Sequence, residues 1–363
     1  MLRKNIAVLF GGNSSEHEVS CVSAASIVNN ISRDKYNLIL IGITKKGKWM
    51  LYNGDAERIK TGEWENESSN KLAFISPDSS VKGVVVLNDN GSFDTIKLDA
   101  VIPVLHGKNG EDGTMQGLLE LSGIPFVGCD TMASSACMDK IITNIILEHE
   151  GIDQAKFTWF CAYDFYNDPE KCIDRVESEI GSYPVFVKPS NAGSSVGVSK
   201  AKNRDELIKS IEIAANEDDR ILIEESIDGQ EVECAVLGNE TPIASIVGEI
   251  APSNEFYDYD AKYLSGSSDL YIPAHVSNDT SNKIRDVAIK AYKALGCTGL
   301  SRVDFFVERA TERVMLNELN TFPGFTDISM YPKLMEASGI GFEELLDKLL
   351  KLALERNENK NAK

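Results

Sequence analysis

Five consecutive apolar residues, Ile6-Ala7-Val8-Leu9-Phe10, run straight into Gly11-Gly12, and a helix-forming stretch follows from about Ser15. An unbroken apolar run of this length predicts a strand covered on both faces, cut short by a tight glycine turn. Ser15 with Glu18 fits a capping box at the start of the helix. Leu38 to Ile43 predicts a second strand and Val101 to Leu105 a third, which again enters a glycine-rich turn. Strand, glycine turn, helix, strand is the pattern of an open parallel sheet, which takes ligands at the C-terminal ends of its strands. A polar insertion, Gly54 to Asn70, interrupts these elements. After it, Val84 to Leu87 and Phe93 to Leu98 predict a hairpin through Asn88-Asp89-Asn90-Gly91-Ser92.

A chain of 363 residues exceeds one ordinary core, so two or three domains are expected. A second unit opens near Thr131 with a helix over Met138 to His149. It continues with a helix over Pro169 to Ile180, strands at Val185 to Lys188 and Val196 to Lys200, a helix over Arg204 to Ala215, and a strand at Ile221 to Glu225. A third begins with strands at Glu231 to Leu237 and Ile243 to Ile250. It carries a helix over Ser281 to Leu295 and an amphipathic helix over Phe342 to Leu354, before a frayed tail at Asn357 to Lys363. No apolar run approaches the roughly 18 residues that span a bilayer, and the first residues lack a signal-peptide pattern, so a cytoplasmic protein is expected. The formal charge of −19 repels a polyanion and argues against nucleic-acid binding. Seven scattered cysteines form no Cys-x-x-Cys pair, which supports neither a disulfide framework nor a zinc site.

The densest chemistry lies in Arg302-Val303-Asp304 and in Asn317-Glu318-Leu319-Asn320-Thr321-Phe322-Pro323-Gly324. Glu318 and Asn320 stand two apart in a strand-like run, so both leave one face of a sheet. Asp304 lies in the preceding apolar run, and the polar link Glu308 to Arg313 can fold the two runs into a hairpin. Two carboxylates and an amide oxygen beside a guanidinium are hard donors that suit magnesium shared with nucleotide phosphates. Ordinary surface polarity on a hairpin is the competing explanation. A strand face otherwise made of Val, Phe, Met and Leu has little structural use for three such groups.

Other candidates carry less weight singly. Lys188-Pro189-Ser190-Asn191-Ala192-Gly193-Ser194-Ser195-Val196-Gly197 is a glycine-rich link whose backbone N–H groups can close on phosphate, with Lys188 adding charge. Lys140 is a second phosphate cation or a plain surface lysine. Glu224-Glu225-Ser226-Ile227, with Glu231 beyond a turn, offers backbone groups to an adenine edge and a carboxylate to ribose, though taken alone an acidic surface turn is the readier explanation. His106-Gly107-Lys108-Asn109-Gly110-Glu111-Asp112-Gly113 follows a predicted strand, where a parallel sheet presents ligands. Glu16 either stabilises its helix dipole or receives a substrate ammonium. Phe256 to Tyr263, in a long Tyr/Gly/Ser segment, reads as a lid that brings Lys262 and Tyr263 to the substrates. Gly42 to Lys48 nearly spells a phosphate loop, but Trp49 occupies the Ser/Thr position and a strand follows, so it is a basic turn.

Four blocks in order, Gly11 to Ser20, His106 to Gly117, Lys188 to Gly197 and Arg302 to Gly324, together with the Phe256 to Tyr263 segment, resemble the ATP-grasp superfamily and, within it, the D-alanine–D-alanine ligases. The resemblance covers nearly the whole chain. It implies an α/β protein, α+β in its ATP-grasp part, with three domains: an N-terminal open parallel sheet over 1–128, a central unit over 129–225 and a C-terminal unit over 226–363. By position it implies that Lys140, Lys188, Lys262, Glu224 and Glu231 hold ATP with backbone help from Ser226 and Ile227. Asp304, Glu318 and Asn320 would hold two magnesium ions, with manganese as a substitute. Glu16 would take the ammonium of the first D-alanine in a triad with Ser194 and Tyr263, and His106 would sit near the substrates. Arg302 and the N–H of Gly324 would form the oxyanion site, and Ser329 would take the second carboxylate.

The implied reaction is attack of a carboxylate on the ATP γ-phosphate, then attack of a second amine on the acyl phosphate. The product would be D-alanyl-D-alanine for peptidoglycan precursors, and a homodimer is the family expectation. Phe305 and Phe306 replace the aliphatic residues common in the family, and Met330 stands where many relatives have leucine. Tyr263 argues against ligases that make D-alanyl-D-lactate. Met330 leans toward D-alanine over the D-alanine–D-serine ligases of the vancomycin-resistance type, which remain the alternative. A catalytically dead nucleotide-binding module is a second alternative, opposed by the intact Arg302 and metal set.

Overall fold

The computed structural model describes residues 3–251 and 269–361. The predicted lid, with Lys262 and Tyr263, lies outside the described residues. The opening apolar run forms β1 (Lys4–Gly11), with Ile6 to Phe10 fully buried. It lies between β2 (Tyr36–Ile43) and β7 (Ala100–Pro103) and is parallel to both, with Ile6 opposite Leu38 and Ala100. Beyond β2 the pairing turns antiparallel. The helix His17–Asn30 supplies the crossover that a parallel neighbour needs, whereas only Thr44 to Lys48 separates β2 from β3 (Trp49–Tyr52), so that pair is antiparallel. The meander continues through β4 (Lys71–Ile75), β5 (Gly83–Leu87) and β6 (Phe93–Lys97) in the order β6-β5-β4-β3-β2-β1-β7. The hairpin expected at β5–β6 is present, with Val84 opposite Ile96 and Leu87 opposite Phe93.

Three local expectations change. The first helix starts at His17, not Ser15, and its N-cap residue Glu16 makes no side-chain cap bond. Glu18 pairs instead with Lys45 of the β2–β3 turn, so the capping box does not form. The insertion Gly54 to Asn70 is not merely polar: it folds into the helix Ala56–Lys60 and a 3-10 turn, Glu63–Asn66, that drive Trp64 to full burial. Trp64 meets Phe10 edge-on at 4.9 Å, and Gly42 must lack a side chain because a Cβ there would stand 2.2 Å from the indole. Finally, the helix expected over Met138 to His149 is two, Thr131–Met138 and Lys140–His149. Asp139 breaks it by taking extended backbone (φ −82°, ψ 100°) and capping the second helix through Ile142 N–H at 3.0 Å.

β8 (Phe157–Cys161), β9 (Val185–Pro189), β10 (Ser199–Ala201) and β11 (Arg220–Glu225) form an antiparallel sheet in the order β10-β9-β11-β8, with the helix Arg204–Ala215 packed against it. β12 (Gly229–Gly238), β13 (Ile243–Ala251), β14 (Asp269–Tyr271), β15 (Gly299–Glu308) and β16 (Val314–Asn320) form another, ordered β14-β13-β12-β15-β16. The helices at 131–149 place Ala133, Cys137 and Leu147 in the core of this last sheet, beside Tyr292 and Phe305.

The helix Phe342–Asn361 runs through the expected tail and unites the two ends of the described chain. Its Leu345, Leu346, Leu349 and Leu350 share one core with Ile6, Val8 and Phe10 of β1 and with Met330 and Leu334. Near its end Arg356 is partly buried. Its guanidinium donates to the Gly128 carbonyl, to Thr298 Oγ1 at 2.7 Å and to the Phe126 carbonyl at 2.8 Å, and stacks 4.5 Å over the Phe126 ring. Among the described residues no helix is long and apolar enough to cross a membrane.

Candidate functional site

The predicted hairpin is β15–β16, and its register sets Arg302 opposite Asn320 and Asp304 opposite Glu318, with a bulge between Asp304 and Phe305. Directly opposed residues share a face, so these four side chains stand together. Arg302 donates to Asp304 Oδ1 through Nε at 2.7 Å and to Oδ2 through Nη2 at 2.6 Å, and lies 3.1 Å from Glu233 of β12. Asn320 donates its amide to Asp304 Oδ2 at 3.0 Å. The guanidinium therefore sits between two carboxylates that fix its position.

Facing the hairpin across a cavity of about 840 Å³ is the β9–β11 pair. Lys188 Nζ lies 2.6 Å from Glu224 Oε2, and Asn144 donates to the other Glu224 oxygen at 3.0 Å. Burial alone would lower the Lys188 pKa. The Glu224 carboxylate, with Glu318 and Glu231 behind it, outweighs burial and raises it, so the ammonium stays charged. Lys140 begins its helix and donates to the Ala192 carbonyl at 2.7 Å, which ties it to the glycine-rich link. Beneath that link Asp139 accepts from Ser190 Oγ at 2.7 Å and pairs with Arg220. Ser226, Ile227 and Glu231 line the wall where β11 passes into β12.

The third wall is Glu16, which is buried and accepts a hydrogen bond from Ser194 Oγ. Its carboxylate is wedged between two glycines: a Cβ on Gly107 would stand 2.1 Å from Oε2, and one on Gly193 3.1 Å. Gly107 also has φ +65°, a conformation that favours glycine. His106 is buried, and burial pulls its pKa down to about 4, so the ring is neutral near pH 7. Glu111 accepts from Gly107 N–H at 2.8 Å and from Phe322 N–H at 3.3 Å. Burial and the nearby Glu16 carboxylate push its pKa up to about 8, against the opposing pull of those N–H groups and Arg302.

Of the predicted residues, Glu16, His106, Lys140, Lys188, Ser194, Glu224, Ser226, Ile227, Glu231, Arg302, Glu318, Asn320 and Gly324 line this one cavity. Asp304 stands behind the lining, held by Arg302 and Asn320. Ser329 and Met330 are not among the lining residues. Ser329 Oγ is engaged by Thr326 N–H at 3.0 Å, and Met330 is packed in the core against Gly248. Sequence reasoning missed Glu111, which lines the cavity, and Asn144 and Glu233, which hold Glu224 and Arg302 from outside it. Only Glu111 carried a signal, its place inside the glycine-rich turn after β7.

Asp304, Glu318 and Asn320 supply only oxygen donors of the kind magnesium takes, with Asn320 Oδ1 holding the lone pairs a cation needs. The donor set fits that ion, although among the described residues no cluster of three or more His, Cys, Asp or Glu is arranged to hold a metal.

The models of two families match the chain: "D-ala D-ala ligase N-terminus" over residues 5–129 and "D-ala D-ala ligase C-terminus" over residues 146–351. A D-alanine--D-alanine ligase of Acetivibrio thermocellus is 52% identical over 370 residues, covering 98% of each chain. Among solved structures, the VanG D-Ala:D-Ser ligase from Enterococcus faecalis superposes with a TM-score of 0.88 at 43% identity, covering 97% of this chain and 100% of that one. The D-alanine-D-alanine ligase from Coxiella burnetii gives 0.85 at 35% identity, covering 99% and 98%.

Proposed function

The chain belongs to the D-alanine–D-alanine ligase family, and on that footing we propose that its cavity joins two D-alanines, with ATP converted to ADP and phosphate. One observation carries the reading: Glu16, Lys140, Lys188, Arg302, Glu318 and Asn320, scattered over the sequence, line the same cavity. Lys140 and Lys188 hold the ATP phosphates, Ser226 and Ile227 present backbone groups to the base, and Glu224 and Glu231 take the ribose side. Glu16, aligned by Ser194, receives the ammonium of the first D-alanine and points its carboxylate at the γ-phosphate. Asp304, Glu318 and Asn320 are the ligands for magnesium, which when bound neutralises charge on the transferring phosphoryl group.

The first carboxylate oxygen bonds to the γ-phosphorus as the bond to ADP breaks. The amine of the second D-alanine then attacks the acyl carbon, and phosphate leaves. Arg302 and the Gly324 N–H stabilise the oxyanion formed in that step. Ser329, just outside the cavity lining, is the candidate for the second carboxylate, and Lys262 and Tyr263, outside the described residues, are those for the nucleotide and the first substrate. Two copies of the chain, each with units at 1–128, 129–225 and 226–363, act as a cytoplasmic homodimer that supplies peptidoglycan precursors. Incubation with ATP, magnesium and equimolar D-alanine and D-serine should give mostly D-alanyl-D-alanine by mass. Mostly D-alanyl-D-serine would move the chain to the VanG-like specificity, and no phosphate release with any D-amino acid pair would overturn the ligase reading.

A further inference from the structure

Beyond β16 the chain leaves the sheet as Phe322-Pro323-Gly324-Phe325, a strap without ladder hydrogen bonds of its own. Three side chains from the N-terminal part of the molecule hold it. Glu111 Oε1 accepts from Phe322 N–H at 3.3 Å, His106 Nδ1 lies 3.1 Å from the Phe322 carbonyl, and Ser23 Oγ accepts from Phe325 N–H at 3.2 Å. His106 Nε2 and Ser23 Oγ lie 3.2 Å apart. One arrangement satisfies every group: a neutral imidazole with its proton on Nδ1 donates to Phe322, and its Nε2 accepts the Ser23 hydroxyl proton. Ser23 is fully buried on the helix His17–Asn30 and His106 nearly so. Both ends of the strap are thus fixed from outside, and Gly324 hangs between them.

We propose that Ser23, His106 and Glu111 are positioning residues that aim the Gly324 N–H at the oxyanion of the second half-reaction. This rests on the ligase reading above. The clasp serves one step more than the other. Phosphoryl transfer takes place among Lys140, Lys188 and the β15–β16 carboxylates, none of which the clasp touches. Attack of the second amine depends on a donor held to within a few tenths of an ångström, and a misplacement of ~1 Å costs about 100-fold.

Glu111→Gln keeps the side-chain shape but, compared with wild type at pH 9 where Glu111 is a carboxylate, has one acceptor oxygen for two N–H groups, and Ser23→Ala removes the acceptor for Phe325. Both are assayed by two readouts in the same enzyme. Dipeptide formation reports the whole reaction. Scrambling of oxygen-18 between the bridging and non-bridging β-phosphate positions of labelled ATP, in the presence of D-alanine and magnesium, reports reversible acyl-phosphate formation alone. The expected result is a fall in dipeptide of roughly 10- to 100-fold with scrambling retained, so that their ratio rises at least about tenfold. An equal fall in both readouts, or no fall in either, overturns the clasp. If the wild-type enzyme forms no dipeptide, the ligase reading fails instead, and the two failures are distinct.

Discussion

Replacing Arg356 with methionine should loosen the junction between the N-terminal sheet and the rest of the molecule. Methionine retains most of the stem and its packing but none of the three donors that reach Phe126, Gly128 and Thr298. A charge-assisted bond to a buried acceptor contributes about 1.5–3 kcal/mol, and the two carbonyls would be left without their donor. Against this, the variant no longer buries a guanidinium, whose desolvation costs several kcal/mol. The balance is a loss of about 3 kcal/mol. For 363 residues unfolding together, an entropy near 2.1 cal/mol/K per residue gives ~0.76 kcal/mol/K, hence a fall in Tm of ~4 °C. If the N-terminal part detaches first, its smaller entropy makes the fall larger. Circular-dichroism melts of wild type, Arg356→Met and Arg356→Lys measure this, with lysine intermediate because it can reach one carbonyl. A methionine variant melting within ~1 °C of wild type would show that the buried guanidinium is energetically neutral and refute the reasoning.

Division of labour on the hairpin is tested by Arg302→Ala, which should keep ATP binding while dipeptide formation collapses by ~100-fold or more. Asp304→Asn and Glu318→Gln should instead weaken magnesium-dependent phosphoryl transfer itself, read by the same isotope scrambling; equal loss of nucleotide affinity in all three would count against the assignment. Glu111 predicts a pH dependence of stability. Its pKa is raised from 4.5 to about 8, so the fold favours the protonated form. The stabilisation it contributes is complete below about pH 4.5 and is lost as pH rises through 8. Wild type should therefore lose stability relative to Glu111→Gln as pH rises over that window. Urea titrations of both proteins from pH 5 to 9 would sink the idea by giving parallel curves.

The parts of the molecule legible in the sequence are those whose signals are local. β1 announces itself by an unbroken apolar run, and the β15–β16 hairpin by carboxylates two apart on an otherwise apolar strand. The clasp on the strap could not be read in this way. Phe322 and Glu111 are 211 positions apart, Phe325 and Ser23 are 302 apart, and Ser23 does not break its local pattern. Trp64 sat in a stretch whose Glu, Asn and Ser content reads as solvent-exposed, and only the approach of Phe10 and Gly42 makes it core. Arg356 occupies an ordinary place on an amphipathic helix, where an arginine looks like a solvated charge until the Phe126 and Gly128 carbonyls arrive from another domain. Asp139 broke a helix that propensity alone would continue, because its carboxylate gains a cap, Ser190 and Arg220 together.

The shared core of β1 and the helix Phe342–Asn361 has a consequence for how the protein is made. As the nascent chain leaves the ribosome, Ile6, Val8 and Phe10 can pair with β2 and be partly covered by Ala24, Ile27 and Val28 of the helix His17–Asn30. The leucines that complete this core are encoded roughly 340 residues later. At ordinary elongation rates of 5–20 residues per second, the rest of that apolar face waits ~17–68 s for its cover. The interval is long compared with the microsecond collapse of an exposed hydrophobic surface onto whatever is near. During synthesis this face is therefore a natural landing site for a holding chaperone.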